Sequence, residues 1–156
     1  EAARGESEAL ATLATEREVR EAVVVRLRQA GFDRRADRVA WSEAAAQAVL
    51  AWRPVGYTVE VGAEVTQPLP ADLQAWFDAR GLSPPRLVMS EMQLRVQGLQ
   101  EAEMLQLVDA VLAAAGGVAR VEQCKLDRRP DGVGLDANCT LRRHALLELT
   151  PQGAAS

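Results

Sequence analysis

From Val133 to Leu147 the chain alternates. Val133, Leu135, Ala137, Cys139, Leu141, Ala145 and Leu147 share one parity; Asn138, Thr140, Arg142 and His144 share the other. A period of two over that length belongs to a strand with one buried face, because a helix would scatter those residues around its circumference. Upstream, Val118 to Arg128 is a second extended run, and Pro130-Asp131-Gly132 between the two is turn chemistry. A long antiparallel hairpin therefore ends the fold, and the rest of the chain must cover its apolar face.

The turn fixes a register. If Asp131 and Gly132 are the two central turn residues, Pro130 faces Val133 and Cys124 falls directly opposite Cys139. Opposed Cβ atoms in such a ladder lie about 4.5–5.5 Å apart, within small adjustment of a disulfide. Two readings stand at this point. The cysteines form a cross-strand bridge in an oxidising compartment, or they remain reduced and pack as small core hydrophobes. A bridge closing so short a loop is worth at most about 3 kcal/mol.

The other elements follow from periodicity. Residues 6–30 hold no Gly or Pro and are rich in Ala, Glu, Leu and Arg, which predicts a helical stalk ending at Gly31. Val19, Val23, Leu27 and Ala30 form its apolar stripe, extended by Leu10 and Leu13. A second helix is expected over 37–52, capped by Asp37, with Trp41, Ala45, Val49 and Trp52 on one face. Tyr57, Val59, Val61, Ala63 and Val65 then alternate as one strand. A short helix over 71–80, carrying Leu73, Trp76 and Phe77, is followed by a strand over 87–98. Glu101 to Ala115 reads as a helix with Met104, Leu105, Val108, Val111 and Leu112 inward, stopped by Gly116.

After the stalk the order is αββαββ, with a small helical insertion between the first two strands. Two helix-plus-strand-pair units of this kind close into one four-stranded antiparallel sheet with both helices on one face, a circularly permuted ferredoxin-like α+β fold. In that arrangement the second and fourth strands are central. The division is a stalk at 1–31, the ferredoxin-like domain at 32–150 and a flexible tail at 151–156.

Chemistry is hard to place on this chain. A net charge of -4 gives no long-range attraction for nucleic acid. The outward sheet positions, Thr58, Glu60, Glu64, Glu91, Gln93, Arg95, Asn138, Thr140 and Arg142, offer no aromatic on which a base would stack. Two cysteines without a CxxC pair and one histidine predict no metal site. His144 reads as a solvated residue of the exposed sheet face. No serine sits in a nucleophile-elbow pattern, and Gly116-Gly117 lacks a phosphate-loop context. No catalytic residue and no cofactor is expected. No apolar run reaches the roughly 18 residues needed to cross a bilayer.

The stretch from Met92 to Leu149, with LRVQGLQEAEMLQLVDAVLAAAGG followed by VARVEQCKLDRR and GLDANCTLRRHALLEL, resembles the strand, helix and terminal hairpin of the inner-membrane alignment proteins of type IV pili and type II secretion, the PilO/GspM class. DRRADRVAWSEAAAQAVL and YTVEVG likewise resemble the start of a related proteobacterial group. The resemblance implies a non-enzymatic protein at the periplasmic face of the bacterial inner membrane, attached through a segment absent from this chain. It also implies that the protein pairs with itself or with a homologous assembly component. Val19, Val23 and Leu27 on the stalk and Trp76 and Phe77 on the insertion are the expected contact residues. The other reading is a small-molecule-binding regulatory domain of the same fold, which requires a concave pocket with convergent polar groups.

Overall fold

A computed structural model describes residues 2–35, 37–115 and 118–148. The tail expected at 151–156 and the helix stop expected at Gly116 lie outside the described residues. Four helices and five strands follow one another as α1 (Ala2–Gln29), α2 (Arg38–Ala51), β1 (Gly56–Val61), β2 (Val65–Gln67), α3 (Ala71–Asp78), β3 (Arg86–Leu99), α4 (Glu101–Ala114), β4 (Val118–Arg128) and β5 (Leu135–Leu147).

The helix ends are closed by local chemistry. Gly31 takes φ 75°, and the amides of Gly31 and Phe32 return to the carbonyls of Arg28 and Leu27 at 2.9 and 2.8 Å, so the left-handed turn ends α1. Asp37 Oδ1 accepts the Ala40 amide at 3.0 Å and starts α2. The Gln100 amide donates to Glu103 Oε2 at 2.8 Å at the start of α4.

All strand pairs are antiparallel, and the sheet order is β1-β3-β5-β4, with β2 pairing further along β3 on the same edge as β1. The second and fourth expected strands, β3 and β5, are the central ones. Trp41, Ala45 and Val49 of α2 and Met104, Leu107, Val108 and Val111 of α4 pack on one sheet face. There they bury Met92, Leu94, Val96, Ala137, Cys139 and Leu141. This is the permuted ferredoxin-like α+β arrangement. Each of its larger core side chains contributes about 1.5–3 kcal/mol relative to exposure.

Four local expectations are corrected. The strand predicted over 57–65 is broken: β1 stops at Val61, the Gly62 amide bonds the Glu91 carbonyl at 2.9 Å, and pairing resumes with Val65 opposite Met89. The slip moves Val65 from the helix-covered face to the other one, where it is 50% exposed. In α4 the inward positions are Met104, Leu107, Val108 and Val111, with Leu105 59% exposed, because Leu107 rather than Leu105 falls on the i+3 step from Met104. α3 ends at Asp78, two residues before Arg80.

The hairpin loop is the fourth. It is wider than two residues: Arg129 N donates to the Gly134 carbonyl at 3.3 Å, and β5 starts at Leu135 rather than Val133. Widening was symmetric, so Cys124 still pairs with Cys139, Lys125 with Asn138 and Leu126 with Ala137.

Candidate interaction surfaces

Over its first turns α1 stands clear of the other helices and strands. Residues 5–19 are exposed throughout, and Val19 and Val23, on the predicted stripe, are 61% and 50% exposed. The less exposed positions are Arg20, Val24, Leu27 and Arg28, so the last turns lean towards the body along a neighbouring stripe. Leu27 is half-buried on that stripe. Of the three stalk residues singled out from sequence, the structure therefore keeps two open and turns one inward.

The insertion helix meets the stalk at a single aromatic. The Arg20 guanidinium lies 4.6 Å from the Trp76 ring centroid and that of Arg80 lies 4.1 Å from it, while Phe77 meets the ring edge-on at 5.0 Å. Contacts of this kind are worth about 0.5–1 kcal/mol each at exposed sites. Trp76 and Phe77 are half-buried.

The sheet face away from the helices is layered along the strands. Leu87 pairs with Leu146 and Met89 with His144 at one end; Glu91 pairs with Arg142 and Gln93 with Thr140 in the middle; Arg95 pairs with Asn138 and Gln97 with Asp136 at the other end. Across the middle runs an ion-pair chain: Glu91 to Arg142 at 3.0 Å, Arg142 to Glu122 at 3.2 Å and Glu122 to Arg120 at 3.3 Å. His144 is half-buried here, not solvated as its parity suggested, since β3 and β4 flank it. Burial first, then the positive charges of Arg120 and Arg142, hold its pKa below the usual histidine value, so it is neutral at pH 7.

The helix-covered face also carries the cysteine pair and one arginine. Cys124 and Cys139 form a disulfide that ties β4 to β5, which decides between the two readings; Cys139 is fully buried and Cys124 exposed. Arg143, a charged residue on the core parity of β5, was not singled out at all. It is 4% exposed, and its Nε and Nη1 donate to the carbonyls of Ala115 and Arg34 at 3.1 and 2.9 Å. The signal was present: an arginine interrupting an otherwise apolar parity marks where a core-facing side chain has backbone acceptors to reach.

Two recesses of about 360 and 350 Å³ flank α2, one lined by Arg38, Val39, Ser42, Glu43 and Val61, the other by Arg34, Arg35, Trp41 and Arg143 among others. Among the described residues no three His, Cys, Asp or Glu side chains are grouped to hold a metal ion, and no helix is long and apolar enough to cross a membrane. No family model matches the chain, and comparison with curated proteins and with solved structures returned no match.

Proposed function

We propose that this chain is a non-catalytic assembly module that works by pairing with protein partners, itself or a homologous chain, in a bacterial pilus or secretion platform at the periplasmic face of the inner membrane. The observation that carries the pairing is α1. An isolated helix in water gains little from its own backbone, and tertiary packing normally supplies most of its stability. Here residues 5–19 of a 28-residue helix stand exposed throughout, and the helix leaves Leu10, Leu13, Val19, Val23 and Val25 open to solvent. Val19 and Val23, one turn apart on this helix, form the apolar surface that a partner would cover. The pilus and secretion setting is supported by the sequence resemblance over Met92 to Leu149 and by the αββαββ order that goes with it.

The double substitution Val19→Glu with Val23→Glu tests the pairing, because both side chains are exposed and neither supports the body. Sedimentation velocity is expected to show self-association, or association with a homologous chain, weakened about tenfold or more. The melting curve of the body is expected to stay unchanged. Association undiminished by both charges rules out α1 as the contact.

A further inference from the structure

The two edges of the sheet are treated differently. One edge is broken into β1 and β2, and its rim is occupied: Arg38 Nη2 donates to the Val61 carbonyl at 3.0 Å, and Arg35 pairs with Glu64 in the gap at 3.3 Å. The other edge is β4, unbroken over 11 residues, about twice the usual strand length. Natural edges are ordinarily short or covered. Among the described residues β4 meets β5 on its inner side and α4 on one face, and no strand lies outside it. Residues 120–128 are exposed, including Val121 at 37% and Leu126 at 39%. Their β5 partners Leu141 and Ala137, on the same face, are buried. The apolar layer thus runs on past its cover.

We propose that β4 is a self-pairing strand: two copies of the chain join edge to edge, antiparallel, about a two-fold axis that passes between their two Cys124 residues and stands perpendicular to the sheet. The proposal rests on the reading of the protein as a self-associating module and names the surface and register.

Charge selects that register. The pairing of β4 with β5 slips at Glu122, between Val121 and Gln123. With Glu122 as the extra residue, Arg120, Gln123, Lys125 and Asp127 lie on the open face, and Ala119, Val121, Cys124 and Leu126 on the helix-covered face. Placing Cys124 opposite its own copy sets Val121 against Leu126 and Gln123 against Lys125. It also sets Arg120 against Asp127, and symmetry repeats each pair. Moving the axis one position to Lys125 sets lysine against lysine; moving it to Gln123 sets Arg120 against Lys125. Opposite charges across a strand pair stabilise and like charges destabilise, so of these three registers the Cys124 one alone satisfies the row. In the free chain Arg120 pairs with Glu122 at 3.3 Å and Lys125 with Asp127 at 3.2 Å. Arg120 is the exposed end of the ion-pair chain and the Lys125–Asp127 pair is exposed on both sides, so Arg120 and Asp127 are open to partners in a second copy. The bulge and the charges also keep a long edge from pairing indiscriminately. Main-chain hydrogen bonds then provide affinity and the side-chain row specificity.

A charge-swap series on the whole chain tests the register. Arg120→Asp alone or Asp127→Arg alone sets like charges together twice and is expected to raise the dimer dissociation constant about tenfold by sedimentation. The double variant is expected to recover to near the unsubstituted value. In parallel, Cys139→Ala frees the Cys124 thiol. Under copper–phenanthroline oxidation, two such thiols lose two protons and two electrons to the oxidant and form a Cys124–Cys124 bond across the axis, read as a covalent dimer on a non-reducing gel. A Cys124→Ala/Cys139→Ala chain carrying Glu60→Cys on the opposite edge is expected to stay monomeric in that assay. Circular dichroism confirms that each variant is folded, and a Cys139→Ala chain that does not fold leaves the charge-swap arm to decide.

Dimers that ignore both single swaps overturn the β4 pairing while leaving the interaction reading intact. Single swaps that weaken the dimer without recovery in the double overturn the register. A chain that stays monomeric at the highest attainable concentration overturns self-pairing at β4 and leaves a heterologous partner as the remaining form of the assembly reading.

Discussion

Arg143 shows how a single side chain holds three segments of this fold together. It sits on the covered face of β5 opposite Ser90, where its neighbours on the strand are Leu141 and Ala145. Its guanidinium reaches the Ala115 carbonyl at the end of α4 and the Arg34 carbonyl in the segment between α1 and α2. A cation at the C-terminal end of a helix opposes the negative end of the dipole, and the two carbonyls receive donors that water does not supply in a buried position. Burial lowers the Arg143 pKa and the charge of Glu64 partly offsets that, but the group remains a cation at pH 7. Arg143→Met keeps the volume and removes every donor. The expected loss is about 2–4 kcal/mol in urea unfolding, the weight of charge-assisted hydrogen bonds lost with their acceptors left buried. Arg143→Lys, able to reach one carbonyl but not both, is expected to fall between. A Met variant as stable as the parent means that both carbonyls find water.

At the scale of elements, the terminal hairpin separates what a sequence discloses from what it conceals. The pairing of Cys124 with Cys139 was legible because a hairpin register is set locally: the loop opened from two residues to the span 129–134 without changing which residues face each other. The slips at Gly62 and Glu122 were not legible, because alternation reports which face a residue takes only while no residue is inserted. Val65 changed faces for that reason, and the charged Arg120 and Glu122, which interrupt the apolar residues of β4, lie on an open edge.

The close approach of Gly134 to Gly98 was hidden as well. Both have positive φ, and a Cβ on Gly134 would lie 2.8 Å from the Gly98 carbonyl carbon, a contact between segments far apart in the chain. The stalk stripe was legible, but which of its residues the body would claim depended on the lean of the helix. The bridge itself is expected to stabilise the domain by about 3 kcal/mol, for two cysteines 15 residues apart. Urea unfolding with and without reductant measures it as a fall in midpoint with little change in slope. An unchanged midpoint means that the ladder alone pins β4 to β5.

For the molecule as a whole, the distribution of packing predicts two tiers of stability. β3 and β5 lie inside the sheet, pair with each other along most of their length and carry the residues most completely removed from water, so their amides open only when the whole domain unfolds. α1 has no such support before its last turns, where Arg20 meets Trp76 and the Phe32 carbonyl accepts the Leu146 amide at 2.7 Å. In proteins most of a helix's stability comes from the face it packs, so a helix without one opens more readily than the packed elements. Hydrogen exchange on dilute protein is therefore expected to run fast over residues 5–19, slower near residue 28 and slowest in β3 and β5. At concentrations where the chain associates, the exchange of α1 and of β4 is expected to slow while that of the central strands stays the same. Association gives the helix its missing face and the edge its missing neighbour, and adds nothing to strands already paired on both sides. Slow exchange in α1 at every concentration is incompatible with a stalk that waits for a partner, since it means the helix is stabilised within a single copy.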